Sequence, residues 1–168
     1  MKDGHKTPNS TTSSFAGVVS RVSIRIALTQ HAALLSLPVI GAGICNAYLQ
    51  APSLEKHFII CGPEFGIENE GHVALIWRAL YGGKFAGRDF WHHLQDCMGQ
   101  LGFTFSRADP DVWIRLSKRT TGEEYYKYAL LYVNDVLVLI SENAESVLRK
   151  EIGQHFVLRD ESIGPPSQ

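Results

Sequence analysis

The sequence predicts a mixed α+β fold on three observations. Residues 125–133 and 136–140 are two apolar runs separated only by Asn134-Asp135, the pattern of a tight β-hairpin. Within residues 86–101, Phe90, Leu94, Cys97, Met98 and Leu101 recur at three- and four-residue steps, which is one face of a helix. Short apolar, partly β-branched runs and helical stretches follow one another with no internal repeat.

Residues 1–14 are a polar tail, and its Ser/Thr cluster supplies caps for a helix over 15–35. In that helix Val18, Val19, Val22, Ile26 and Leu28 fall largely on one face, with Arg21 and Arg25 on another. Residues 37–49 read as a buried strand weakened by Gly41 and Gly43, and Pro52-Ser53 as a turn. Residues 57–61 and 72–77 read as short strands around the Gly-Pro-Glu-Phe-Gly loop at 62–66. After the 86–101 helix, residues 111–116 form a strand behind the Asp109-Pro110 turn, and the hairpin follows. A helix over 142–155 is capped by Ser141, residues 156–158 read as a last strand, and Gly164-Pro165-Pro166 breaks the chain.

Composition narrows the function classes. The 168 residues carry 16 Lys plus Arg against 17 Asp plus Glu, a net charge of −1, without the basic excess of a domain that grips nucleic acid by bulk charge. At 45% hydrophobic and 10% aromatic there is enough apolar material for a core. Cys45, Cys61 and Cys97 form no CxxC pair and are odd in number, which fits a reducing compartment. Residues 26–54 carry no formal charge, but Pro38, Gly41, Gly43 and Asn46 break them below a spanning length. No compact apolar segment follows the polar start. The expectation is a soluble intracellular protein, cytoplasmic or nuclear, not secreted and not membrane-bound. Gly82-Gly83-Lys84 is not a P-loop, because Phe85 follows the lysine, and no GxSxG elbow is present. His93 and Cys97 are two residues at a ligand spacing, too few for a zinc site.

The most informative feature is the hairpin Tyr132-Val133-Asn134-Asp135, an ordinary turn by local composition. It stands last in an ordered set of blocks: Asn46-Ala47-Tyr48-Leu49-Gln50-Ala51-Pro52, Gly62-Pro63-Glu64-Phe65-Gly66, Arg78-Ala79-Leu80-Tyr81-Gly82 and Ala108-Asp109-Pro110-Asp111-Val112-Trp113. In this order the blocks closely resemble the reverse transcriptase of Ty1/copia-type retrotransposon polyproteins. Ser141-Glu142-Asn143-Ala144-Glu145 and Ser162-Ile163-Gly164-Pro165-Pro166 match as well, so the resemblance covers nearly the whole chain.

The resemblance implies a polymerase palm with part of the fingers over residues 15–168, an antiparallel sheet backed by helices, truncated before the thumb. It implies template-directed DNA synthesis by two-metal phosphoryl transfer, with Mg²⁺ as cofactor and an RNA or DNA template-primer and a dNTP as partners. In such a palm three carboxylates hold the ions. Here the first falls on Gly43 and the second on Asn134, and Asp135 is the surviving carboxylate and metal ligand. Glycine offers no side-chain ligand and asparagine only a neutral oxygen, so catalysis is expected to be lost or nearly so. The resemblance also implies nucleotide-binding roles: Tyr48 under the incoming sugar, and Tyr81, Gly82 and Lys84 in the loop beneath the templating pair. Read structurally, Tyr48 is a half-buried strand tyrosine, Tyr81 to Lys84 a loop leading into a helix, and Trp77, Trp91 and Trp113 core residues. The alternative to a disabled polymerase fragment is a co-opted, non-catalytic module that binds nucleic acid or protein.

Overall fold

The structure is a computed structural model that describes residues 13–141 and 144–165. Its described residues fall into two compact units. One runs from 48 to 93 together with the described residues up to 15, and the other joins 16–47 to 94–165.

The larger unit is built on a five-stranded antiparallel sheet. Its strands are β1 (Val39–Gly43), β4 (Thr104–Phe105), β5 (Val112–Lys118), β6 (Glu124–Tyr132) and β7 (Asp135–Leu139), in the order β1-β7-β6-β5-β4. The core lies where the most apolar strands meet: Ala129, Leu130, Leu131, Val136, Val138, Leu139 and Ile140 are almost fully enclosed. Helix α4 (Ala144–Lys150) packs on β1 and β7, and Leu148, Ile152 and Phe156 bury their side chains in the same unit. Each such side chain contributes roughly 1.5–3 kcal/mol through the apolar area it removes from water.

In the smaller unit, β2 (Pro52–Ile60) and β3 (Val73–Arg78) pair antiparallel as a two-stranded ribbon. The first part of helix α3 (Ala86–Gln100) belongs to this unit, and its last turns belong to the larger one.

Several sequence expectations are corrected. The 15–35 helix starts later, as α1 (Arg21–Ile26) capped by Ser20, and continues as a wide π-type helix over Ala27–Leu34. Thr29 Oγ1 donates to the Arg25 carbonyl at 2.7 Å, a side-chain competitor for the backbone ladder near that change of pitch. The 37–49 strand ends at Gly43. Asn46 takes a left-handed φ of 45°, and Ala47–Gln50 forms a single helical turn, α2, so Tyr48 is a helix residue and not a strand one. Pro52-Ser53 opens β2 instead of turning the chain. The hairpin loop is Val133-Asn134, one residue earlier than the Asn134-Asp135 turn of the sequence reading, and Asp135 is the first residue of β7. Residues 156–158 make an isolated bridge from Leu158 to Ile44, not a strand. The two-residue strand β4 is too short to leave a pattern in the sequence. Residues 1–12 of the expected 1–14 tail, the Glu142-Asn143 start of the last helix and Pro166 lie outside the described residues.

Buried polar groups fasten the larger unit. Asp109, 8% exposed, accepts from the Ser20 amide at 2.9 Å, the Ser23 hydroxyl at 2.6 Å and the Asp111 amide at 3.1 Å, closing the start of α1 from 89 residues away. Burial pushes its carboxyl pKa up, but these hydrogen bonds outweigh that and leave it below the ordinary value. Asp109→Ala strands three donors and is expected to destabilise by about 3 kcal/mol at neutral pH. Because the folded pKa is the lower one, this contribution is complete above the unfolded carboxyl value of about 3.9 and is lost as pH falls through the folded value. Urea melts at neutral and strongly acid pH check this. The gap between parent and variant should narrow in acid, and an equal gap at both would refute the role.

Candidate functional site: the Gly43–Asp135 cluster

The sheet register sets the site. Gly43 of β1 pairs with Asp135 of β7, and Asp135 pairs on its other side with Tyr132 of β6. Residues directly opposite in an antiparallel sheet share a face, so Gly43, Asp135 and Tyr132 form one row. Gly41, opposite Leu137, lies on the same face, and the two glycines leave β1 bare there. A cavity of about 540 Å³ results, lined among others by Gly41, Gly43, Tyr132, Asp135, Glu161 and Ser162. The Asn134 carbonyl accepts from the Ile44 amide at 2.7 Å, so the hairpin loop is bonded to the end of β1. Gly43 and the adjacent Asn134-Asp135 pair, distant in sequence, are therefore neighbours across β1 and β7.

The loop itself is strained. Val133 has φ 54°, a left-handed conformation that a β-branched residue rarely adopts. Strain of about 1–3 kcal/mol persists only where surroundings over-determine it, and such outliers cluster at functional sites.

The segment after α4 closes the outer edge of β1. Arg159 N donates to the Gly43 carbonyl at 2.8 Å, Gly43 N donates to Ser162 Oγ at 2.7 Å, and Gly41 and Gly164 exchange backbone bonds of 2.8 and 3.2 Å. A Cβ placed on Gly43 would stand 3.2 Å from Asp135 Oδ1, 3.3 Å from Ser162 Oγ and 3.7 Å from Arg159 Cζ. The sequence blocks included Ser162 but assigned it no role, and they passed over Arg159. Nothing in the local pattern marks either, because both reach the site through backbone pairing of a distant segment.

These residues do not fit two divalent ions. One carboxylate and one serine hydroxyl face a bare glycine there, a guanidinium carbon stands beside them, and Asn134 in the adjoining loop is a neutral amide by its chemistry. Among the described residues no group of three His, Cys, Asp or Glu side chains is placed to hold a metal. Cys97 is buried and its thiol is pushed up to about 12 by burial, which removes the thiolate a metal would need.

The expected nucleotide-binding residues gather in the smaller unit. Tyr48 and Tyr81 stack with ring centroids 4.6 Å apart, and Tyr48 also tilts against Phe90. Gly82 takes φ 82° in the turn that follows, which glycine accommodates without strain, and Lys84 Nζ lies 5.5 Å from the centre of the Phe85 ring. Trp113 is buried as expected for a core residue, whereas Trp77 is 75% exposed on the ribbon. Among the described residues no helix is long and apolar enough to cross a membrane.

Comparison with known proteins gives two distant relatives. The chain is 27% identical over 150 residues to the retrovirus-related Pol polyprotein from transposon RE1 of Arabidopsis thaliana, covering 87% of this chain. It is 28% identical over 125 residues to the corresponding polyprotein from transposon RE2 of the same plant, covering 74% of this chain. The matched segments are 10% and 8% of those polyproteins, so the chain spans about a tenth of the relatives it matches. No protein-family model matches, and neither does any solved structure. The likeness supports a retrotransposon Pol origin for this chain.

Proposed function

We propose that the chain is a segment of a Ty1/copia-type reverse transcriptase, a palm with part of the fingers, whose two-metal chemistry has been disabled. One observation carries this reading: Gly43 and the Asn134-Asp135 pair, predicted to occupy the three carboxylate positions, lie against each other across β1 and β7. The strained Val133 at the tip of the hairpin and the ordered sequence blocks around it support the same reading. An intact site of this kind would hold Mg²⁺, a template-primer and a dNTP inside the cell. Asp135 is the one anionic ligand such a site would retain here, and it is too little to hold two ions.

A second reading, a non-catalytic module for nucleic acid or protein, is favoured by the ribbon. Phe58, Ile60, Val73 and Trp77 are 60–76% exposed there. Calorimetric titration of the purified chain with Mn²⁺ tests the first reading. No saturable binding is expected, and saturable binding abolished by Asp135→Ala would contradict it.

A further inference from the structure

We infer that the chain sets a fixed cation of its own beside this cluster: Arg159 carries its guanidinium carbon to 3.7 Å from where a Gly43 side chain would begin, where it would pair with a carboxylate at position 43 and oppose a metal ion. The inference rests on the reading of Gly43 and Asn134 as former carboxylate positions. Its geometry is independent of that reading. Five hydrogen bonds hold the 157–164 segment along β1: Val157 to Cys45, Arg159 and Ser162 to Gly43, and two between Gly164 and Gly41. Ser162 Oγ also donates to the Arg159 carbonyl at 2.6 Å, which closes the turn over Gly43. The backbone of Arg159 is thus fixed beside the glycine before its side chain is considered.

The charges around it are distributed accordingly. Asp160, next to Arg159, is engaged by Arg149, which also pairs with Glu145 at 2.9 Å. Among the described residues no carboxylate stands within ion-pair distance of the Arg159 guanidinium. It lies instead 3.7 Å from the point where a side chain at position 43 would begin, with Asp135 Oδ1 3.2 Å from that same point. A carboxylate growing from this point would emerge beside a permanently charged guanidinium. A dication placed there would meet a fixed like charge at short range. Gly43 itself lies in β1 with a φ that any residue adopts, so a side chain there meets close neighbours but no backbone penalty.

The test is a charge-specific coupling read by thermal melts. Gly43→Asn and Gly43→Asp have the same shape and differ in charge, so their difference removes the steric term. In low salt Gly43→Asp should melt higher than Gly43→Asn by about 2–4 °C when Arg159 is present. The difference should vanish or reverse when Arg159→Gln is added. An equal Asp–Asn difference with and without Arg159→Gln would overturn the inference.

A second arm does not depend on how well residue 43 packs. Adding Arg159→Gln to Gly43→Asp/Asn134→Asp should tighten Mn²⁺ binding roughly tenfold, because one fixed like charge is removed. Unchanged affinity would overturn the inference while leaving the metal-site reading standing. No Mn²⁺ binding in either background would overturn the metal-site reading itself, and the melts would still decide the pairing of Arg159 with position 43.

Discussion

The Gly43→Asp/Asn134→Asp protein is expected to gain a Mg²⁺-dependent rise in melting temperature that neither single reversion shows to a comparable extent. Gly43→Asp alone leaves a neutral amide at Asn134. Asn134→Asp alone leaves the β1 side of the cluster, where Gly43 pairs with Asp135, without a ligand. Groups that act as a unit are strongly non-additive, so one restored carboxylate should achieve little. Together the reversions put carboxylates on β1, on β7 and in the hairpin loop that precedes it. Without metal these repel one another, an effect that Arg159 offsets only in part, and the protein should melt below its parent. Mg²⁺ at ten times its dissociation constant then stabilises the folded state by about 1.4 kcal/mol, enough to move the melting point by several degrees. If Mg²⁺ shifts the double revertant no more than it shifts the parent, the cluster is not a former metal site.

The largest stability loss is expected from Asp89→Ala. Arg88 and Asp89 are 5% and 2% exposed, and the guanidinium donates to Asp89 Oδ1 at 2.9 and 2.6 Å. It also donates to Glu55 at 3.1 Å and lies 4.6 Å from the Phe85 ring centre, while Asp89 Oδ2 accepts from the Leu54 amide at 3.1 Å. Burial draws the Arg88 pKa down, but its bonds to Asp89 and Glu55 outweigh this and hold it above the ordinary value. Removing Asp89 leaves a buried cation short of its main partner and strands the Leu54 amide, a loss of about 3–5 kcal/mol. Against a total stability of about 5–15 kcal/mol that is a severe effect. Replacing both members, as Arg88→Met/Asp89→Leu, should lose markedly less, because no uncompensated charge remains. Denaturant melts of the two variants check this. A double variant as unstable as Asp89→Ala would show that packing, not charge compensation, dominates there.

Much of this was legible in the sequence because it is local. The β6–β7 hairpin announces itself by two apolar runs around a short polar loop, and α3 by its apolar spacing. The loop lies one residue earlier than the apolar runs imply, since Val133 adopts a left-handed turn conformation that its side chain disfavours. Strand β1 ends before the apolar run does, and Asn46 turns the backbone where that run continues. What pattern reading could not reach is the long-range polar order. Asp109 reads as a turn residue and closes a helix start 89 residues away. Arg159 is an exposed charge in the fold as in the sequence, yet main-chain bonds of a segment with no strand pattern set it beside Gly43. The meeting of Gly43 with Asn134 and Asp135 was expected from the resemblance alone, because no local signal pairs β1 with β7.

The most direct measurement is template-directed primer extension by the purified chain, with a primed RNA or DNA template, all four dNTPs, and Mg²⁺ or Mn²⁺. With a carboxylate remaining only at Asp135 of the three positions, no extension above a no-protein control is expected with either metal. Extension that depends on the chain and disappears in Asp135→Ala would contradict the proposal that its metal chemistry is lost.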